Sequence, residues 1–209
     1  FFTYGDTDTT LYTENWAKKD SMGGSDQYSV VAAGKDERLR AVYTALSDRF
    51  NNYSKAGYTT TIYAPLIEGM KENGNKMQVF AVIFDSSYTM SRTKEGYALF
   101  ERGGSVVPSR LDFEKRNGKW ILTDWTQAED GSYYADSIKR MCDGDNALEK
   151  KMISYDSDAC QMLLWQNMIY YMKANYGGMK LPIYFDSYME EKNIKKISKF
   201  IDITPTYDE

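Results

Sequence analysis

The chain contains no histidine. That absence excludes serine or cysteine nucleophiles activated by a histidine of this chain. It also excludes HExxH zinc sites and other histidine-ligated metal centres. Cysteine is scarce: Cys142 and Cys160 are the only two. Two cysteines without histidine argue against a structural zinc site, and no metal and no cofactor is expected. A surplus of one charge is missing as well. Lys and Arg total 26 against 30 Asp and Glu, a net charge of -4, and the basic residues are scattered. That pattern lacks the electrostatic footprint of a nucleic-acid binder. Long apolar runs are also absent, and none approaches the roughly 18 residues that a membrane span needs.

What is present is an ordinary globular balance, with 42% hydrophobic and 27% charged residues. The length of 209 residues suits one large domain or a domain with an appended subdomain. Aromatics reach 15%, with 18 tyrosines. Tyrosine builds a thick core while keeping hydroxyls at its wet edge. The chain begins at Phe1 without a signal-peptide pattern. It is expected to be part of something longer, with an export signal or anchor in a preceding segment.

Residues 1–34 are polar and read as an N-terminal arm or loop, with room for a short strand in FFTYGDTDTTLYTENW. Residues 35–209 read as a single α+β domain. In DERLRAVYTALSDRFNNY, Leu39, Val42, Tyr43, Leu46 and Phe50 recur at helical spacing. Asp36 and Glu37 suit the first turn of that helix. TTTIYAPLI is β-branched and aromatic, and Pro65 marks an edge or an end. MQVFAVIF is apolar on both alternating sets, as expected of a central strand covered on two faces. GYALFE is a third strand.

LDFEKRNGKWILTDW places Asn117-Gly118 between two strand-like runs, the signature of a two-residue type I′ hairpin. That loop sets Phe113 opposite Leu122 and Lys115 opposite Trp120. Leu111, Phe113, Trp120 and Leu122 then share the core face, and Asp124 falls on it too. Asp130-Gly131 turns the chain and Ser132 reads as a helix N-cap. Tyr134, Ile138, Met141 and Cys142 share one helical face. NALEKKMIS continues as a helix. SDACQMLLWQNMIYYMKANYGG is apolar nearly all round, so it is expected to be buried against more than one layer, with Ser157 as its cap. A short strand and an amphipathic helix are expected in LPIYFDSYMEEKNIKKISKFIDI. The order argues an α+β fold, a curved antiparallel sheet with helices packed on one face and additional C-terminal helices.

MQVFAVIF, SVVPSRLDFEKRNGKWILTDW and EDGSYYADSIKRM together resemble an extracytoplasmic domain of Gram-positive (Firmicute) proteins. That domain is often attached to membrane metallopeptidases of the β-lactam-receptor type. The resemblance spans about residues 76 to 142 and departs at Met141-Cys142, where those segments more often continue with Phe-Pro. It implies an exported or cell-surface location and brings no catalytic residue, since the zinc motif of such peptidases lies in a membrane-embedded part that is not in this chain. The element order is also similar to the cone-shaped fold of nuclear-transport-factor and cystatin-like proteins, a fold that hosts many functions.

Several residues are candidates for a site. Trp125, Tyr133 and Tyr134 can form an aromatic lip over a ligand. The plainer reading is a strand-to-helix corner, with Tyr134 packed inward and Tyr133 at the surface. Ser91-Arg92-Thr93-Lys94 matches S-x-x-K of penicillin-recognising enzymes, but without Lys-Thr-Gly or Ser-Asp-Asn partners. Asp143-Gly144-Asp145-Asn146 and Asp6-Thr7-Asp8 are oxygen-rich, yet Asp and Asn beside Gly are ordinary turn and cap residues. Asp85, Asp112, Asp124 and Asp130 flank the strands, and Asp124 is the one expected on the core face as a ligand or acid–base group. Cys142 and Cys160 either form a disulfide worth roughly 3 kcal/mol or stay as buried thiols.

These observations lead to an expectation of a non-enzymatic extracytoplasmic domain. It would bind a small molecule, a cell-wall ligand or a partner protein, with its site between the curved sheet and the buried helix. Two alternatives stand beside it: a small enzyme on a cone-shaped fold using Asp and Tyr in place of histidine, and a purely structural module.

Overall fold

A computed structural model of the chain describes residues 33–51, 59–93, 96–176 and 183–184. Residues 1–32 of the proposed N-terminal arm, with Asp6-Thr7-Asp8, and the C-terminal amphipathic helix lie outside the described residues, while Ala33 is buried in the core. The architecture is α+β. Helix α1 (Glu37–Asn51) precedes strands β1 (Thr59–Asn73), β2 (Lys76–Thr93), β3 (Gly96–Arg116) and β4 (Lys119–Gln127). A 3-10 turn (Gly131–Tyr133) then leads to α2 (Tyr134–Met141), α3 (Asn146–Ile153), α4 (Ser157–Tyr176) and the two-residue β5 (Ile183–Tyr184).

The four long strands form an antiparallel sheet in the order β1-β2-β3-β4, and β5 joins β3 in parallel at Leu99 and Phe100. The β3–β4 hairpin closes as its Asn-Gly requires. Both Asn117 and Gly118 have positive φ, 51° and 79°, the type I′ geometry. Phe113 pairs with Leu122 and Lys115 with Trp120, the expected register.

The strands run further than their sequence signals. GYALFE and LDFEKR are one continuous strand, because β3 passes through Gly103-Gly104 without breaking. Ser87 pairs with Gly103 and Tyr88 with Glu101, so Arg102 is an extra residue in a β-bulge that bends the strand. A Cβ on Gly104 would sit 2.2 Å from the Asp85 carbonyl oxygen, so only glycine lets the two strands approach there.

Proline positions follow the free sides of strands. The Tyr63 carbonyl accepts from Asn167 Nδ2 of α4 at 2.9 Å, so it points away from β2. Pro65, two residues on, directs its missing N–H to the same outer edge and costs no ladder bond.

Helices cover both faces of the sheet, rather than one. Strand β2 requires this, because its two alternating sets are both apolar and both buried. Met77, Val79, Ala81 and Ile83 pack with Leu111, Phe113, Trp120 and with Val42, Tyr43 and Leu46 of α1. Phe80 and Val82 pack with Ile138, Met141 and Cys142 after the hairpin, and with Leu148 and Met152 of α3. Helix α4 lies along the β1 edge and belongs to both clusters. It gives Cys160 to the second, and Leu164, Met168 and Tyr171 to the first. Covering an edge strand with a helix also shields it from pairing with another chain.

Two caps differ from expectation. Ser132 lies inside the 3-10 turn, and neither that turn nor α2 has a side-chain cap bond. Ser137 anchors the corner instead, accepting from Glu129 N–H at 2.9 Å and donating to the Tyr134 carbonyl at 2.7 Å. Asp156, not Ser157, caps α4, accepting from Ala159 N–H at 3.0 Å. A carboxylate makes the stronger bond to an N-terminal N–H.

Candidate functional site

A pocket of about 280 Å³ opens over the first face of the sheet, beside the end of α1. Its lining comes from every long strand: Thr61 of β1, Ile83, Asp85 and Ser87 of β2, Ser105 and Val107 of β3, Trp125 and Gln127 of β4. Arg49, in the last turn of α1, closes one wall. The strand residues alternate, so all of them project from the same face.

A bulge places Trp125 in this pocket. Phe113 pairs with Leu122 but Asp112 pairs with Asp124, so Thr123 is the extra residue. Its hydroxyl donates to the Asp112 carbonyl at 3.0 Å. Past that point the alternation of β4 is reversed. Trp125 comes opposite Leu111 on the core face, and Asp124 turns outward, exposed. The expectation that Asp124 shares the face of Leu111 and Leu122 is therefore corrected, and the reason is one inserted residue.

The Arg49 guanidinium lies over the Trp125 ring, 4.3 Å from its centroid, and Nη2 donates to Gln127 Oε1 at 2.7 Å. Stacking and the hydrogen bond hold the planar cation in one orientation. Trp125 Nε1 is buried and has no hydrogen-bond partner among the described residues. A buried donor left unpaired is costly and needs a reason.

On the opposite wall Asp85 accepts from the Ser105 hydroxyl, and Thr61 and Ser87 share a hydrogen bond at 2.8 Å. Burial pushes the Asp85 carboxyl above the usual carboxylate range, and hydrogen bonds from the Ser105 side chain and backbone pull it partly back. No ion pair joins Asp85 to Arg49 among the described residues.

The other candidates are separated from this pocket. Tyr134 packs against the second cluster, on the face of the sheet opposite Trp125. Burial, with a smaller contribution from Tyr155, raises its phenol. Tyr133 is exposed at 62%. The structure thus does not join Trp125, Tyr133 and Tyr134 in one lip; the two tyrosines make a strand-to-helix corner. Cys142 and Cys160 are free, buried thiols of the same cluster. Burial raises Cys142 and pushes Cys160 up to about 11.

Asp145 is the N-cap of α3, accepting from Leu148 N–H at 3.1 Å, and it pairs with Lys71 at 3.1 Å. Asp143 and Gly144 make the preceding turn with positive φ. Ser91 to Thr93 form the end of β2, paired with Gly96 to Ala98. That is strand rather than the helix N-terminus an S-x-x-K serine requires, and Lys94 lies outside the described residues.

Arg49 and Asp85 gained their importance only from the fold. Arg49 reads in sequence as a basic residue favoured near a helix C-terminus. Asp85 reads as one of four strand-flanking carboxylates.

No family model matches this chain, and no curated protein matches it. Among solved structures it is similar to the intermembrane-space region of the chloroplast protein ARC6, at 15% identity and a TM-score of 0.27. That likeness covers 60% of this chain and 98% of the other, and at such a score it carries no weight for fold or function. No helix among the described residues is long and apolar enough to cross a membrane.

Proposed function

We propose that this chain is a non-enzymatic, extracytoplasmic ligand-binding or sensor domain of a bacterial cell-surface protein. Its site would be the pocket between the curved sheet and the end of α1. The observation that carries this reading is that Arg49, held by Trp125 and Gln127, and Asp85 line one pocket without pairing with each other. A polar ligand would give these charged groups partners. The likeness of residues 76–142 to the Firmicute domain supports the location. The sheet with helices against it also favours, by analogy, the cone of the nuclear-transport-factor and cystatin-like proteins.

A thermal-unfolding screen tests the reading, using cell-wall fragments, β-lactams, small metabolites and divalent ions. Binding to the native state raises the melting temperature by mass action. A saturable rise from one compound class, lost in Trp125→Phe, is the expected result. A flat screen of well-folded protein would favour the structural-module reading instead.

One observation favours a histidine-free enzyme as a second reading. Asp85, with its raised carboxyl, faces the pocket and is placed as an acid–base group would be. Asp124, exposed on the other face, no longer supports it.

A further inference from the structure

We propose that the pocket takes a small neutral polyol, a single polyhydroxylated ring of the monosaccharide class. This rests on the pocket being a binding site at all.

The lining is polar and chemically mixed. Thr61, Ser87 and Ser105 supply hydroxyls, Asp85 a carboxylate, Gln127 an amide and Arg49 a guanidinium. Register places four of these together. Thr61 pairs with Ser87, and Asp85 with Ser105. They form two adjacent rungs on one face of the sheet, about 7 Å apart along the strands. The next rung, Ile83 with Val107, is apolar. A ring with hydroxyls on its rim reaches both polar rungs, and its C–H groups rest on the apolar one.

These groups call for a partner that both donates and accepts. The Ser105 hydroxyl donates to Asp85, and Thr61 and Ser87 share one hydrogen bond. Lone pairs of the Asp85 carboxylate remain as acceptors, and one hydroxyl hydrogen of the Thr61–Ser87 pair remains as a donor. One Arg49 N–H goes to Gln127 Oε1. The amide hydrogens of Gln127 and the other guanidinium hydrogens add further donors. Each alcohol group of a polyol donates once and accepts twice, so it matches either kind of group wherever that group stands in the wall.

The charges of the lining select a neutral ligand. It holds one cation, Arg49, and one anion, Asp85, and no ion pair joins them among the described residues. A ligand with a net charge meets one like charge in the same small cavity, and a neutral one meets none. A volume of about 280 Å³ is on the scale of one ring and excludes a long chain of them.

Saturation-transfer NMR titrations test this, with glucose, galactose and mannose as the neutral probes. Each is compared with its amino sugar and its uronate, which set a positive or a negative charge on the same ring. The expected result is saturable binding of one of the hexoses, with both charged forms about 10-fold weaker or more. Ser87→Ala should weaken the hexose about 2- to 10-fold. Asp85→Asn should move the preference toward the uronate, and Arg49→Gln toward the amino sugar. Circular dichroism melts establish that the variants fold, and the comparison of neutral and charged sugars on the unmodified protein stands without them. A charged sugar that binds as tightly as its hexose would overturn the proposal. No hexose binding, with another compound class raising the melting temperature in a Trp125-dependent way, would overturn the polyol and keep the pocket. No binding by any compound would remove both.

Discussion

Arg49 stacks on Trp125, with the guanidinium carbon 4.3 Å from the ring centroid. This contact fastens the end of α1 to β4 and forms one wall of the pocket. It also fixes the indole so that Nε1 stays buried without a partner. Trp125→Phe keeps a ring beneath the guanidinium and removes that donor. Its stability in urea should stay within about 1 kcal/mol of the parent, because lost ring area is offset by the loss of an unsatisfied group. Ligand affinity should fall, and paired denaturation and titration data check both.

Asn167 joins three elements. Its Nδ2 donates to the Tyr43 hydroxyl at 2.8 Å and the Tyr63 carbonyl at 2.9 Å, all buried. Asn167→Leu removes the donor to both and should cost about 1–3 kcal/mol. Tyr43→Phe loses only one of these bonds and should cost about 1 kcal/mol. Chemical denaturation gives the ranking; a smaller loss for Asn167→Leu than for Tyr43→Phe would contradict it.

Gly104 faces the backbone of Asp85, and a Cβ there would meet the Asp85 carbonyl oxygen at 2.2 Å. Backbone cannot swing aside as a flexible side chain can, so Gly104→Ala must part the strands. The expected loss is about 1–3 kcal/mol, with weaker ligand binding because Asp85 moves. Unchanged melting would show that the strands tolerate the shift.

Asp85 sets a pH dependence of definite sign. Its carboxyl is raised in the folded protein, chiefly by burial. The folded state therefore holds the proton where the unfolded chain has lost it. This group's contribution to stability falls as pH rises from the ordinary Asp value through the folded one, and is constant above that. Asp85→Asn should melt no lower than the parent at pH 7, and should lose any advantage below the ordinary Asp value. Melts across pH compare the two; a variant that is much less stable at pH 7 would mean that the ionised carboxylate is stabilising.

The β3–β4 hairpin was legible because Asn117-Gly118 and the flanking alternation agree on one register. Strand β2 was legible because both of its faces are apolar. The bulge at Thr123 left no such trace. It depends on Trp125 finding Leu111 and Arg49, residues far away in sequence, and it decides which of Asp124 and Trp125 enters the pocket. Gly103-Gly104 lies between the GYALFE and LDFEKR signals, yet β3 runs through it and Gly104 permits close approach to β2. Trp125 could therefore be singled out in the sequence, whereas Arg49 and Asp85 needed the fold to bring α1, β2 and β4 together around one pocket.

The central claim is that a ligand sits in the pocket against the indole of Trp125. The most direct measurement is its nitrogen–proton NMR signal, assigned by its disappearance in Trp125→Phe, followed during titration with compounds that raise the melting temperature. The account predicts that this signal shifts and saturates with the same affinity as the thermal effect. A signal that stays in place while such a compound binds would contradict it.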